Sequence, residues 1–260
     1  MKVGIFLKDG NKDECVKSFI KELTASKIES FIVEGDGNIP DIYVVFGGDG
    51  TILSAGYTAL NNGVPMATVN MGTVGFLSGY EIKDAHLLAK EIADNKLTFS
   101  YRSALEIEYN GKKYTALNDA VIERNKAYKG QSVVSKLSLK IGGETVYDLS
   151  SDGVIIATPT GSTAYSLSAG GVILTPDLNS FIVTPICSHS LSTRPIVYND
   201  SEEVEITVSN LGSDCILSCD GKPVEEIKGG DKVKIRKSEK KLALAEGNYD
   251  FFSKIKRKLG

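Results

Sequence analysis

The chain has 260 residues, 42% of them hydrophobic and 24% charged, with a formal net charge of -3. This is the composition of an ordinary globular protein, long enough for one large domain or two smaller ones with a sizeable core. The slight negative charge argues against nucleic acid as a partner. No apolar run reaches the length of a membrane span, and the one after Lys2 is too short for a signal peptide, so a cytoplasmic protein without a membrane partner is expected.

In chain order, residues 3–7 read as a strand, and Val16, Phe19, Ile20 and Leu23 then recur at helical spacing. Residues 31–33 and 42–46 are further predicted strands, separated by a turn-rich segment at 35–40. A helix is predicted over 51–61, a strand over 66–69 and a helix over 83–94. Strands alternating with helices imply a parallel sheet with helices on its faces. Near residue 98 the period drops to two. Leu105, Ile107 and Tyr109 alternate up to Asn110-Gly111, a hairpin signal, and Leu137, Leu139 and Ile141 alternate up to Gly142-Gly143. Val204, Ile206 and Val208, then Val233 and Ile235, continue the pattern of a mostly antiparallel sheet. Residues 249–259 read as a helix with Phe251, Phe252, Ile255 and Leu259 inside and Lys254, Lys256, Arg257 and Lys258 as a solvated basic face.

Two common routes to chemistry are poorly supported. The four cysteines are too few and scattered for a disulfide framework, and Cys215 and Cys219 lack a second pair to complete a zinc set, so free thiols are expected. Of the two histidines, His86 sits on a predicted surface helix and His189 in a loop, and no nucleophile-elbow motif accompanies either. Neither a G-x-x-x-x-G-K-[ST] loop nor a G-x-G-x-x-G after a strand occurs.

What stands out is VVFGGDGTIL, residues 44–53. Glycines let a backbone approach a ligand, and a helix start offers N–H groups to an anion, yet Asp49 would repel phosphate. The carboxylate makes sense if its partner is a hydroxyl. A carboxylate cannot deprotonate a sugar hydroxyl in advance, but it can accept the proton late in phosphoryl transfer. Asp49 then faces the attacking hydroxyl, while Gly47, Gly48, Gly50 and Thr51 face the donor phosphates. A divalent cation, with magnesium expected, would offset the charge between them; its protein ligands are not assigned. A second concentration of polar groups, Thr158 to Ser168 around Gly161, follows an apolar strand at 154–157 and suits a sugar or base edge better than a casual turn.

GGDGT at 47–51, NMGTVGFL at 70–77, LNDAVIER at 117–124 and DGVIIATPTGSTAYSLSAGG at 152–171 together resemble the NAD kinase family, in order and over nearly the whole chain. GGDGT alone is shared in similar form by lipid kinases; the TPTGSTAYSLSAGG run is the specific one. The resemblance implies transfer of a phosphoryl group from ATP or polyphosphate to the 2′-hydroxyl of the adenosine ribose of NAD, giving NADP. It implies an α/β phosphate-binding domain with a parallel sheet, residues 1–97 with 247–260, followed by a β-rich dinucleotide-binding domain, residues 98–246. The C-terminal helix is expected to pack back on the first domain.

By matching motif, Asp49 is the expected general base and Gly50 approaches the dinucleotide. Gly72 and Thr73 line the cleft, with Phe76 as an apolar wall. Asn118 is expected to bond the adenine edge and Asp119 the ribose. Thr160, Thr163, Ala164, Tyr165, Ser166, Leu167 and Ser168 close around the adenosine. Asp152, with Ser150 and Lys222, faces the nicotinamide end, completed across the interface of a homodimer or homotetramer. This chain departs from the family in carrying Asp119 where glutamate is usual, Ser150 where many members are basic, and Lys222 where glutamine or histidine is common. A lipid kinase using the same loop, and a dinucleotide sensor without turnover, remain alternatives. The phosphoryl donor and the choice between NAD and NADH stay open, because backbone N–H groups read phosphate rather than base.

Overall fold

The structure is a computed structural model that describes residues 1–7, 14–35, 37–72, 75–125 and 134–260. The chain divides into two compact units, residues 1–102 with 240–260 and residues 103–239. The first unit begins with β1 (Lys2–Leu7), α1 (Glu14–Ala25), β2 (Glu29–Ile32), β3 (Ile42–Gly47), α2 (Asp49–Asn62), β4 (Met66–Asn70), β5 (Tyr80–Glu81) and α3 (Ala85–Ala93). Strands β4-β3-β1-β2 form a parallel sheet in that order, with β5 parallel to the end of β4. Both β3 and β4 are buried at every residue, which is why they read as continuous apolar runs rather than alternating ones.

Helices cover both faces of this sheet. Val16, Phe19 and Leu23 of α1 and Leu88, Ala89 and Ile92 of α3 share a core with Ile5, Val44 and Phe46. Each of these large side chains contributes roughly 1.5–3 kcal/mol by leaving water. The alternate residue Tyr43 turns to the α2 side, where Asn62 Nδ2 donates to its hydroxyl at 2.8 Å. Helix α2 ends at Gly63, whose φ of 65° caps it in the left-handed conformation.

In chain order the next strands are β6 (Phe99–Tyr109), β7 (Lys112–Ala116), β8 (Asp119–Arg124), β9 (Ser135–Ile141), β10 (Glu144–Ser151) and β11 (Gly153–Ala157). The short helix α4 (Tyr165–Ser168) follows, then β12 (Ser180–Ile186), β13 (Ile196–Asn199), β14 (Val204–Val208), β15 (Cys215–Cys219), β16 (Lys222–Ile227) and β17 (Lys232–Ala245). The second unit contains an antiparallel six-stranded sheet in the order β13-β12-β11-β8-β15-β16. Its inner face, with Ile122, Val154, Ile156, Val183 and Leu217, packs against Leu105, Ile107, Leu139, Ile206 and Ile235 from β6, β9, β14 and β17. The opposite face, with Val121, Ile155 and Ile182, is covered by Leu174. The predicted hairpin at Asn110-Gly111 is present with φ of 49° and 76°, and a second hairpin turns at Gly142-Gly143 with 59° and 88°. Positive φ at both turn residues matches the twist of the flanking strands.

The C-terminal helix, Phe251–Leu259, packs within the first unit but not on the predicted face. Lys254 is only 8% exposed, whereas Phe252 and Leu259 are 69% and 53% exposed. The helix start decides this. Asp250 caps it, accepting the Ser253 N–H at 2.8 Å, and the inward stripe becomes Phe251, Lys254 and Ile255, with Lys258 at its exposed end. The chain reaches this helix by passing the residue just before β5, glycine against glycine: Asn248 N–H donates to Gly79 O at 3.1 Å, and a Cβ on Gly247 would stand 1.7 Å from that oxygen. Gly247→Ala is therefore expected to cost about 1–3 kcal/mol, read as a drop of roughly 2–4 °C in Tm per kcal/mol. Gly37→Ala, where a Cβ meets nothing within 4 Å, should leave Tm unchanged.

Candidate active site

Strand β3 lies beside β1, where the strand order of the parallel sheet reverses, and such reversals open a crevice at the carboxyl ends of strands. Gly47 ends β3 there. A Cβ on it would sit 2.7 Å from Thr51 Cβ, so glycine allows the strand to turn directly into α2. Gly48 is the N-cap, and no side chain caps the helix. Asp49 and Gly50 are its first residues, two positions earlier than the sequence pattern predicts. Among the described residues nothing stands within 4 Å of where a Cβ on Gly48 or Gly50 would be, which suits a ligand approaching the N–H groups of the first turn.

The Asp49 carboxylate is held from several sides. Leu77 N–H points at Oδ1 from 3.4 Å, and Lys258 Nζ lies 3.5 Å from Oδ2. A Cβ on Gly75 would fall 1.8 Å from Oδ1, so the loop passes the carboxylate at a distance only glycine permits. That loop is tied to itself: Ser78 Oγ accepts from Gly75 N–H at 2.8 Å and donates to Gly75 O at 2.9 Å. Thr68 Oγ1 accepts from Gly79 N–H and donates to Leu77 O. Asn70 Nδ2 donates to Gly72 O at 2.6 Å, while its buried Oδ1 has no partner among the described residues. Phe76 is half-buried, its ring 6.1 Å from that of Phe251, with Lys258 Nζ 5.0 Å over its face. Gly72 is exposed; Thr73 lies outside the described residues.

Lys254 adds a buried cation to the same surroundings. Its ammonium donates to Phe76 O at 3.4 Å. Burial, and then the Arg102 charge, lower it to about 8, with Asp49 and Asp250 opposing. The sequence reading places Lys254 on the solvated face, and the structure buries it, whereas Lys258 is exposed as expected. Nothing in a run of alternating lysines signals which one turns inward.

In the second unit, three loops are locked together around Asn118. Asp220, in the turn between β15 and β16, accepts three backbone N–H groups: Leu117 at 2.8 Å, Asn118 at 2.7 Å and Asp119 at 3.0 Å. Asp220 N–H in turn donates to Asp119 O at 2.9 Å. From the other side, Thr158 Oγ1 donates to Leu117 O at 2.6 Å and accepts from Gly161 N–H at 3.1 Å. A Cβ on Gly161 would stand 2.0 Å from Asn118 O. This backbone lock leaves the Asn118 side chain free to serve a ligand, and its buried Oδ1 has no partner among the described residues. A buried unpaired acceptor costs about 1–3 kcal/mol, which a ligand N–H can recover. The carboxylate of Asp220 is a residue that the sequence reading passed over.

The hydroxyl-rich run divides by direction. Ser162 Oγ donates to Pro159 O at 2.7 Å and accepts from Leu174 N–H at 2.9 Å. Ser166, expected to touch substrate, is fully buried, and its Oγ is 2.8 Å from Thr184 Oγ1. Its hydroxyl belongs to the packing of α4 on β12, a correction forced by a helical turn that points alternate hydroxyls inward. Thr163 Oγ1 donates to Thr160 O at 3.2 Å, Ala164 and Leu167 are half-buried, and Tyr165 and Ser168 are exposed. Asp152 Oδ1 is 3.0 Å from Arg124 Nε, an ion pair without hydrogen-bond alignment. Ser150 is half-buried on β10, its carbonyl accepting from His189 N–H at 2.9 Å, and Lys222 is exposed at the start of β16. Cys215 and Cys219 are free thiols of the buried core.

Asp119 is 4% exposed, and burial followed by the Asp220 charge pushes it up to about 7. The folded chain keeps a proton that the unfolded chain releases near pH 4. This group's contribution to stability is complete below that value and is lost as pH rises through about 7. Asp119→Asn is expected to flatten the fall in Tm between pH 4 and 7. At pH 8 it should melt above the parent chain in scanning calorimetry, by roughly 2–4 °C per kcal/mol relieved.

Comparison with known proteins agrees along both units. Residues 4–97 match the ATP-NAD kinase N-terminal domain and residues 117–247 the ATP-NAD kinase C-terminal domain. An NAD kinase of Petrotoga mobilis is 33% identical over 100% of this chain and 98% of its own. One from Chloroherpeton thalassium is 36% identical over 84% of this chain and 77% of its own. Among solved structures, yeast NADH kinase complexed with NADH superposes with a TM-score of 0.85 at 27% identity, covering 100% of this chain and 87% of that one. With two family domains matched in order over most of its length, this chain belongs to the NAD kinase family.

Proposed function

We propose that the protein phosphorylates the 2′-hydroxyl of the adenosine ribose of NAD to give NADP. The observation that carries this reading is Asp49: one carboxylate at the start of an uncapped helix, where a loop built only for phosphate would carry none. In this role Asp49 Oδ1 or Oδ2 orients the ribose hydroxyl and takes its proton as the new phosphate ester forms. The open backbone at Gly48 and Gly50 receives the donor's phosphates, and ATP or polyphosphate fits, since N–H groups read phosphate and not base. Asn118 Oδ1 accepts the exocyclic amine of adenine, Asp119 takes the ribose, and Tyr165 lays its ring against the adenosine.

Among the described residues, no group of three or more His, Cys, Asp or Glu side chains could hold a metal ion. Magnesium suits such a site as a complex with the donor's phosphates plus at most one carboxylate, Asp49, because it keeps several waters and needs few protein ligands. It would supply neutralisation of phosphate charge. A cytoplasmic location and a homodimer or homotetramer, in which the partner's copy of Asp152 completes the nicotinamide end, belong to the same proposal.

The test is direct: purified protein with NAD, magnesium and either ATP or polyphosphate should form NADP, and no NADP with any donor would overturn the reading. Asp49→Asn should lose at least ~10²-fold in kcat with NAD still bound. Gly75→Ala should also lower kcat, by roughly tenfold or more, since its methyl group would overlap Oδ1 and push the Asp49 carboxylate aside. A collapse of NAD affinity at constant kcat in Asp49→Asn would make Asp49 a binding group instead. Asp49→Asn and Asp152→Asn chains, unfolded, mixed equally and refolded together, should recover roughly a quarter of full activity if the sites are completed across a two-fold interface. No recovery despite subunit exchange would remove Asp152 from its partner's site.

A further inference from the structure

The C-terminal helix inverts the usual pattern of an amphipathic helix. Phe251, Lys254, Ile255 and Lys258 form one stripe at i, i+3 and i+4 spacing, so an ammonium is buried while Phe252 stands 69% exposed. A fold gains no stability from burying an ammonium and exposing a phenyl ring, and such local inconsistency marks functional sites. The two lysines of this stripe converge on one place. Lys258 Nζ is 3.5 Å from Asp49 Oδ2, and Lys254, one turn earlier, is bonded to the carbonyl of Phe76 beside it.

The Lys258–Asp49 contact has the marks of an exchangeable pair. A charge-assisted N–H···O bond is about 2.7–2.9 Å long, and this one is longer, between side chains that are 27% and 41% exposed. Ion pairs of that kind contribute about 0–1 kcal/mol. Lys258 Nζ also lies 5.0 Å over the centre of the Phe76 ring, a second weak contact that a phosphate oxygen can replace. A donor phosphate arriving at the α2 start offers several charged oxygens against the two of Asp49.

We infer that Lys258 is a ligand of the phosphoryl donor: it pairs with Asp49 in the free enzyme and transfers to a non-bridging oxygen of the phosphoryl group being moved, freeing the carboxylate for the acceptor hydroxyl. The inference rests on the phosphoryl-transfer reading above. In the step itself, the bond from phosphorus to the donor's leaving oxygen breaks, and its electron pair stays on that oxygen. The bond from the 2′-oxygen to phosphorus forms, and the hydroxyl proton passes to Asp49. Lys258 keeps its proton and donates hydrogen bonds throughout, with Lys254 as a second, fixed positive charge that discourages anions from leaving.

Lys258→Gln and Lys258→Arg test this, with KM for donor and for NAD measured separately and tripolyphosphate binding measured calorimetrically without NAD. Lys258→Gln is expected to lose roughly tenfold or more in kcat/KM for the donor and to bind tripolyphosphate more weakly by a similar factor. KM for NAD should stay within about twofold, and Lys258→Arg should recover much of the loss, since it restores the charge. Both variants should melt near the parent, because the ammonium lies at the surface. If the parent makes no NADP with any donor, the functional reading falls, and tripolyphosphate binding alone then judges Lys258. Unchanged tripolyphosphate affinity in Lys258→Gln, or equal losses for donor and NAD, would overturn the inference.

Discussion

The contact between Asp49 and the loop at Gly75 is the constraint on which the first unit's chemistry depends. No side chain fits between them, since the first carbon of any would overlap the carboxylate oxygen. The carboxylate therefore has one address, fixed on one side by the buried strand β3 and on the other by a loop that Ser78 and Thr68 tie to the sheet. A group meant to take a proton late in a transfer must be within hydrogen-bond reach before the transfer begins, and a rigid backbone on both sides provides that. Glycine at 75 thus fixes where the Asp49 carboxylate can stand.

The second unit solves a similar problem by different means. Asn118 holds a buried side-chain oxygen that has no partner among the described residues. Its main chain is consumed first: the N–H goes to Asp220, and the carbonyl accepts from Thr158 N–H at 2.9 Å. Asp220 does this at a cost, because its charge lies near buried Asp119 and helps raise the pKa of that carboxyl. Burial of Asp119 beside the Asp220 charge lowers stability as pH rises, while Asp220 organises the backbone of residues 117–119.

The C-terminal helix connects sequence end to chemistry. Arg257 pairs with Glu81 and lies 4.5 Å over Tyr249, contacts that agree with the helix rotation set by its Asp250 cap. With that rotation set, Lys254 and Lys258 face Asp49 and the two lysines become part of the site's electrostatics. Burial of Lys254 weakens its hold on a proton, whereas Lys258 remains hydrated enough to move. A site that handles phosphate gains from one fixed cation and one mobile cation, since the first holds a field and the second can follow the charge as it shifts.

Local pattern was enough to determine the alternation of strands and helices before residue 98, the period of two after it, and both glycine-bearing hairpins, because each depends on a few neighbouring residues and their φ preferences. The motifs around Asp49, Asn118 and Tyr165 also stood out, since glycines and hydroxyls packed that densely rarely serve a plain turn. What the sequence could not determine was direction. Lys254 and Phe252 exchange the places that hydrophobicity assigns them, Ser166 turns its hydroxyl into the core, and α2 begins at Asp49 rather than after it. Gly75 and Asp220 look like ordinary loop residues until the chain folds, because their partners are 26 and about a hundred residues away. Such long-range contacts are made only by tertiary structure, which places a carboxylate where no side chain fits and a charge where three N–H groups await it.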